Sequence, residues 1–322
     1  MSGLSEDDII AVLAAGTAER EDVLIGIGDD GSVLAPPVGK QLVTVLDTLN
    51  EGVHFPAGID AAAIGHRALA VNLSDLAAMG AEPAWAALSL SLPASDAEWV
   101  RSFARGFHSL AARWGVALVG GDTVRGPLSV AVHLTGFVEP AKALTRGGAR
   151  PGDLLFVTGT PGEAMAGLDV LESGGSESST LVQRFLWPAP RVAEGQAIAG
   201  LASAAIDLSD GLLVDLSRVA AASGVSIVVE VDDLPASAGA IEVFGAEEAT
   251  RLAICGGDDY ELAFTVPEDR QDELMSRAAG WTCPLARIGR VESGTGVEFR
   301  RGGRIYSPDV SSSWSHFSGD SC

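Results

Sequence analysis

Apolar residues come along this chain in two kinds of block. Some are short runs rich in β-branched residues, others are longer stretches at helical spacing, and Gly, Pro and Asp stand between them. The short runs of the first half predict strands. They are VLIGIG (Val23 to Gly28) leading into a turn, QLVTVLDT (Gln41 to Thr48) giving out near Asp47, WAALSLSLP (Trp85 to Pro93), GVALVGGDT with a glycine exit, and PLSVAVHLTGFVE. The longer stretches predict helices: a short one from about Ser5 to Ala15, a long one capped by Asp60 and stopped by Gly80, and one opened by a Ser95–Glu98 capping box and reaching Trp114. The helix after Asp60 is apolar on nearly every side and is expected to be buried.

The polar, Gly- and Arg-rich segment ALTRGGARPGD (Ala143 to Asp153) reads as a hinge between domains 1–142 and 143–322. After it, LLFVTGTPGEAMAGL predicts strand, glycine turn and helix, GGSESST a surface loop, PAPRVAEGQAIAGL a helix, and SAAIDLSDGLLVDLSRVAAASG a strand, an Asp-rich turn and a helix. SIVVEVDDLP predicts a strand, RLAICGGDDYELAFTV two strands around a glycine turn, and PEDRQDELMSRAAG a helix. Strands and helices mix in both halves, which predicts an α/β (α+β) protein whose halves are built alike. A length of 322 residues also exceeds one ordinary core and predicts two domains.

Charge narrows the partners. Acidic residues outnumber basic ones 43 to 21, for a formal net charge of −22, so nucleic acid and anionic membranes are excluded as partners. Phosphate ligands are repelled too unless cations intervene. The cysteines, Cys255, Cys283 and Cys322, are few and unpatterned, which argues for free thiols in a reducing compartment. MSGLSEDDII has no secretory pattern and no apolar run spans a bilayer, so the cytoplasm is the expected location.

Candidate chemistry lies in the aspartates. Asp29 and Asp30, Asp47, Asp122, Asp207 and Asp210 are expected where apolar strands give out, the places where a scaffold presents functional groups. Asp75 falls inside the buried helix with no Lys or Arg one turn away, where an ionised carboxylate needs compensation, such as a cation. Carboxylates without a His or Cys pattern suit magnesium and phosphoryl transfer. Turn preference alone accounts for some Asp at strand ends. Gly26, Gly28 and Gly31 match a dinucleotide-binding fingerprint in letters, but Pro36 and Pro37 stand where the helix must follow. Gly39-Lys40 lacks the rest of a P-loop, and DLSDG at 207–211 leads to Arg218 where a calcium loop needs Glu.

Taken in order, GIGDDGSVL, LDTLNEGVHF, AVNLSDLAAMGAEPAW, LVGGDTVRGPLSV, ALTRGGARPGD, VTGTPGEAMAGL, IDLSDGL and GGDDYELAFTV resemble the thiamine-monophosphate kinase family over nearly the whole chain. The resemblance implies the two-domain fold of aminoimidazole ribonucleotide synthetase, with the N-terminal sheet pairing in a homodimer and a C-terminal α/β domain completing the nucleotide and substrate site. It implies ATP and thiamine phosphate as substrates, several Mg2+ ions, and no general base. By motif, Asp30, Asp47, Asp75, Asp122, Asp207 and Asp210 would hold magnesium, Gly121, Asp122, Arg146 and Ser209 would contact ATP, and His54, Asp258 and Trp314 would contact thiamine phosphate, with Asp122, Asp210 and Arg146 the most important. Two departures stand out: Val45 and Leu46 occupy positions that are often hydroxyl residues in the family, and Asp258 replaces a Glu. The alternatives are an ATP-using synthetase of the same fold, which phosphorylates an oxygen before cyclisation, and a non-catalytic magnesium- or nucleotide-binding dimer.

Overall fold

The structure is a computed structural model and describes residues 3–308, so that Trp314 and Cys322 lie outside the described residues. The chain forms two compact units. One takes in residues up to Leu76 and Ala81–Ala141, the other Ala77–Gly80 and the residues from Lys142 on.

The first unit contains α1 (Glu6–Ala14), a hairpin of β1 (Val23–Ile25) and β2 (Val33–Leu34), then β3 (Gln41–Asn50), α2 (Ala61–Ala78), β4 (Glu82–Leu92), α3 (Ala97–Trp114), β5 (Ala117–Arg125) and β6 (Ser129–Val138). A four-stranded sheet runs β3-β6-β4-β5, with β4 and β5 parallel. The Asp60 carboxylate accepts the Ala62 N–H at 3.0 Å at the start of α2, and Gly80 takes φ +67 just beyond its end. α3 opens on Asp96 rather than Ser95: Asp96 accepts the N–H groups of Glu98 and Trp99 at 3.0 and 2.8 Å, satisfying two donors that the helix itself cannot.

Two glycines set how closely α2 and α3 approach. A Cβ on Gly65 would stand 2.2 Å from Phe103 O, and one on Gly106 would stand 1.9 Å from Ala62 O. The obstructing atoms are backbone and cannot rotate away. Helix propensity favours alanine over glycine by about 1 kcal/mol, but overpacking costs about 1–3 kcal/mol and wins here. Gly106→Ala is therefore expected to lower stability in urea unfolding, and an unchanged or raised midpoint would show that the helices do not touch there.

The second unit contains β7 (Leu154–Thr158), α4 (Glu163–Glu172), α5 (Thr180–Leu186), α6 (Val192–Ile198), β8 (Ala204–Asp207), α7 (Leu212–Ser223), β9 (Ser226–Glu230), α8 (Ala238–Phe244), α9 (Ala246–Cys255), β10 (Leu262–Val266), α10 (Gln271–Ala278), β11 (Leu285–Glu292), β12 (Gly296–Arg301) and β13 (Arg304–Tyr306). Its seven strands run β13-β12-β9-β11-β7-β10-β8. Leu212, Leu216 and Val219 of α7 join Leu155, Val157, Ile206, Ile227 and Val229 in one core. β7, β8 and β10 are buried at every residue, which is why they read as continuous apolar runs.

The units are not built alike, with four strands in the main sheet of one and seven in the other. RLAIC is not a strand but the end of α9, whose last residues, Leu252 to Cys255, are all buried. A short apolar run does not distinguish a buried helix end from a strand. The final strands, β11 to β13, carry Arg and Glu in ion pairs such as Arg290–Glu292 and Arg300–Glu298, and so show little apolar signal in the sequence. Among the described residues no helix is long and apolar enough to cross a membrane.

Candidate active site

The register of the first sheet sorts its aspartates by face. Thr48, Ala131, Ser89 and Asp122 form one row across the strands, and Asp47, Val132, Leu88 and Gly121 form the adjacent row. Adjacent rows point to opposite faces. The row of Asp122 faces the open side, where Leu46 and Val124 are also exposed. Asp47 faces α2, where its N–H donates to Asn72 Oδ1 at 3.1 Å, and Asp75 follows Asn72 by one turn. The sheet thus brings Asp47 and Asp75 to one side and puts Asp122 on the other, with β3 and β5 three strand spacings apart, about 14 Å. Neither Asp47 nor Asp122 ends its strand, since β3 continues to Asn50 and β5 to Arg125.

Asp75 is half-buried, as is Met79 one turn on. The expectation of a carboxylate sealed in an apolar helix is corrected: α2 leaves one seam open, and Asp75 lies on it. Asp30 is exposed in the turn after β1, its N–H bonded to Asp29 Oδ1 at 2.8 Å. A Cβ at Gly121 would stand 1.9 Å from Leu88 O, so no side chain fits there. His54 Nδ1 accepts the Asn50 N–H at 3.0 Å, which puts the proton of the neutral ring on Nε2. Arg67, fully buried in α2, donates to His54 O at 3.4 Å.

In the second unit the β8–α7 loop is laced to the Gly-Asp-Asp-Tyr segment before β10. Asp258 N–H donates to Ser209 O and Tyr260 N–H to Leu208 O, both at 2.9 Å. Asp207, Ser209, Asp210 and Asp258 are therefore brought together. Asp258 and Tyr260 hold φ of +66 and +52, a conformation that costs about 1–3 kcal/mol per non-glycine residue and is typical of functional loops. The Tyr260 hydroxyl donates to Asp258 Oδ1 at 2.7 Å. Between them Asp259 accepts the N–H groups of Gly162 and Ala164 at 2.6 and 3.1 Å. Burial nevertheless pushes its carboxyl well above the ordinary range.

The sequence reading missed Asp215 and Arg218. Asp215 is fully buried, and its Oδ2 accepts the N–H groups of Ser209 and Asp210, both at 3.0 Å. Arg218 reaches Asp215 Oδ1 at 2.6 Å with one nitrogen and Asp210 Oδ2 with the other. Burial pushes the Asp215 carboxyl up to about 7, Asp207 and Asp210 adding to the rise while the Asp210 N–H and Arg218 oppose it. The signal available was the i,i+3 spacing of Asp215 and Arg218 on a helix that starts just after Asp210. Arg146 is exposed in the loop before β7, and its carbonyl accepts from Ser223 Oγ at 3.1 Å.

Among the described residues no three His, Cys, Asp or Glu side chains are gathered as a ready-made metal cage. The donor set nonetheless fits magnesium. Carboxylates in ones and twos, without His or Cys, suit an ion that keeps water and takes further oxygens from phosphate.

Residues 28–138 match the AIR synthase related protein, N-terminal domain, and residues 150–302 the corresponding C-terminal domain. The chain is 44% identical to thiamine-monophosphate kinase of Salmonella typhimurium, over 89% of this chain and 90% of the relative. The crystal structure of thiamine-monophosphate kinase from Stenotrophomonas maltophilia K279a superposes with a TM-score of 0.87 at 44% identity, covering 95% of this chain and 99% of that one. The structure of AaThiL complexed with AMPPCP and TMP does so with a TM-score of 0.76 at 35% identity, covering 90% and 92%. The Asp-bearing strands and loops described above lie within both matched segments, and the chain belongs to the thiamine-monophosphate kinase family.

Proposed function

We propose that this protein transfers the γ-phosphoryl group of ATP to the phosphate of thiamine monophosphate, giving ADP and thiamine diphosphate. The observation that carries the reading is the laced pair of loops presenting Asp207, Ser209, Asp210 and Asp258, in a chain 44% identical to kinases of this name. An oxygen of the acceptor phosphate attacks the γ-phosphorus in line, and the bond from that phosphorus to the bridging oxygen breaks, leaving ADP. The acceptor is already an oxyanion, so no side chain needs to take a proton, and positioning and charge neutralisation dominate. Several magnesium ions held by Asp30, Asp47, Asp75, Asp122, Asp207 and Asp210, with Asp122 serving a different ion from Asp47 and Asp75, would neutralise the phosphates when bound.

The remaining roles fall to organic groups. Gly121 leaves the backbone open to a phosphate, and Arg146 offers a forked donor to another. Ser209 adds a hydroxyl. His54 presents Nε2–H to thiamine phosphate, Asp258 accepts from it, and Trp314 stacks on one of its rings. In this reading residues 1–142 carry most of the metal carboxylates and residues 143–322 the two loops. Leu42, Leu46 and Val124 are 51%, 63% and 47% exposed on the open face of the first sheet, and that face is proposed to pair with a second copy in a homodimer. A monomer in sedimentation at micromolar concentration would count against it. Cys255 and Cys283 are not disulfide-bonded among the described residues, which suits the reducing cytoplasm.

The purified protein is to be incubated with ATP, Mg2+ and thiamine monophosphate, with ADP and thiamine diphosphate quantified together. Equal amounts of both are expected, and ADP release without thiamine diphosphate would reject the assignment. Tyr260→Phe removes the hydrogen bond that orients Asp258. A bond worth about 1 kcal/mol predicts a KM for thiamine phosphate raised about fivefold with kcat little changed. An unchanged KM would detach Asp258 from the substrate.

A further inference from the structure

Arg218 stands where a positive charge has consequences for the proposed metal site. Its guanidinium spans two carboxylates of unlike setting. Asp215 has no exposed side-chain surface, while Asp210 and Arg218 keep 30% and 40% of theirs. Asp215 is also fixed from its other oxygen by the N–H groups of Ser209 and Asp210. One end of the bridge is therefore anchored in the core and the other lies at the surface. The anchored half fixes the loop, and the exposed half can open without disturbing the core. A purely structural ion pair needs only the Asp215 contact, which is the ordinary i,i+3 pairing along α7. The second contact, to Asp210, reaches back out of the helix into the loop.

We infer that Arg218 is a built-in counter-cation, which occupies the Asp210 carboxylate when no divalent ion is present and yields it when one binds, Asp215 holding the guanidinium close by. This rests on the reading of Asp210 as a magnesium ligand. A guanidinium and a divalent ion compete for the same oxygens, and repel each other at close range even when both fit. Arg218 thereby spares the loop uncompensated repulsion between Asp207, Asp210 and Asp215 before the metal arrives. It also weakens metal binding in the absence of nucleotide, so that the ion arrives preferentially with a polyphosphate that brings further ligands.

The test is Mn2+ binding to the full-length, nucleotide-free protein, followed by the paramagnetic signal of free Mn2+, with melting temperature measured with and without Mg2+. Arg218→Met is expected to bind Mn2+ roughly tenfold more tightly than the parent, on the size of a nearby unit charge at partly exposed sites. It is also expected to melt lower without metal and to recover more on adding Mg2+. Arg218→Lys keeps the charge but loses the fork, and is expected to fall between the two. It carries the test if the methionine variant does not fold. Asp210→Asn is the control for the metal reading and should weaken Mn2+ binding. Unchanged or weaker Mn2+ binding in the Arg218 variants, with Asp210→Asn still weakened, would overturn the counter-cation role and leave Asp210 as a ligand. Undiminished binding in Asp210→Asn would remove Asp210 from the metal site, and the inference with it.

Discussion

Asp75→Ala is expected to lower turnover by about 10²–10³-fold or more, the usual loss when a group that stabilises transferring charge is removed, with little change in stability. The carboxylate is half-buried on the open seam of α2, so alanine leaves no sealed cavity there. Alanine is also the better helix former, by a few tenths of a kcal/mol. Losing a hydrogen bond or ion pair at such a partly exposed position costs no more than about 1 kcal/mol. Steady-state kinetics alongside urea unfolding separates the two effects. Near-parental turnover would remove Asp75 from the proposed metal set, and a large loss of stability would give it a structural role instead. Because Asp47 lies on the same side of the sheet and is tied to Asn72 one turn earlier, Asp47→Asn is expected to share the phenotype.

Arg191→Met is expected to cost about 3–5 kcal/mol of stability, the typical result of orphaning a buried charge. Arg191 and Glu261 are 10% and 9% exposed and meet in a two-pronged ion pair, with Nε to Oε2 at 2.6 Å. Thr158 Oγ1 adds a hydrogen bond to Glu261 Oε2 at 2.6 Å. Burial works against the charge on Arg191, but the hydrogen bonds and charge of Glu261 outweigh it and hold the guanidinium protonated. The nearby Cys283 thiol is pushed up to about 12, by burial first, with Arg191 opposing the rise and Glu194 and Glu261 adding to it. Among the described residues, the methionine leaves Glu261 with only the Thr158 hydroxyl as a side-chain partner, next to the Asp258–Tyr260 loop that it follows in the chain. Arg191→Met/Glu261→Met removes both charges and is expected to recover much of the loss. A single-variant change under about 1 kcal/mol in urea unfolding would mean that water reaches the pair.

Several features were legible in the residues alone, for identifiable reasons. The caps Asp60 and Gly80 marked α2 because helix ends need donors and acceptors supplied locally. β7, β8 and β10 showed as apolar runs because they are buried throughout. The loop carrying Asp207 and Asp210 was visible because β8 ends at Asp207 and glycine precedes α7. Other features were not legible. RLAIC carried the same local pattern whether helix or strand. β11 to β13 hid behind ion-paired Arg and Glu. Asp122 looked like the end of a strand because Gly120 and Gly121 precede it, yet β5 runs through them.

What the sequence by itself determined is local chemistry: which segments are helix or strand where caps and apolar runs are unambiguous, the carboxylate-only donor set, and the string of motifs that resembles one family. What only the tertiary structure decided is which groups share a face and which are compensated. The pairing register put Asp47 and Asp122 on opposite sides of one sheet, because side chains alternate with a period of two and a single step reverses direction. Packing opened a seam for Asp75 in an otherwise buried helix and drew Arg218 across to Asp210. The register and the seam depend on pairing and packing between residues far apart in the chain, and the Arg218 bridge on how the loop after β8 folds back over the first turns of α7, which residue order alone does not fix.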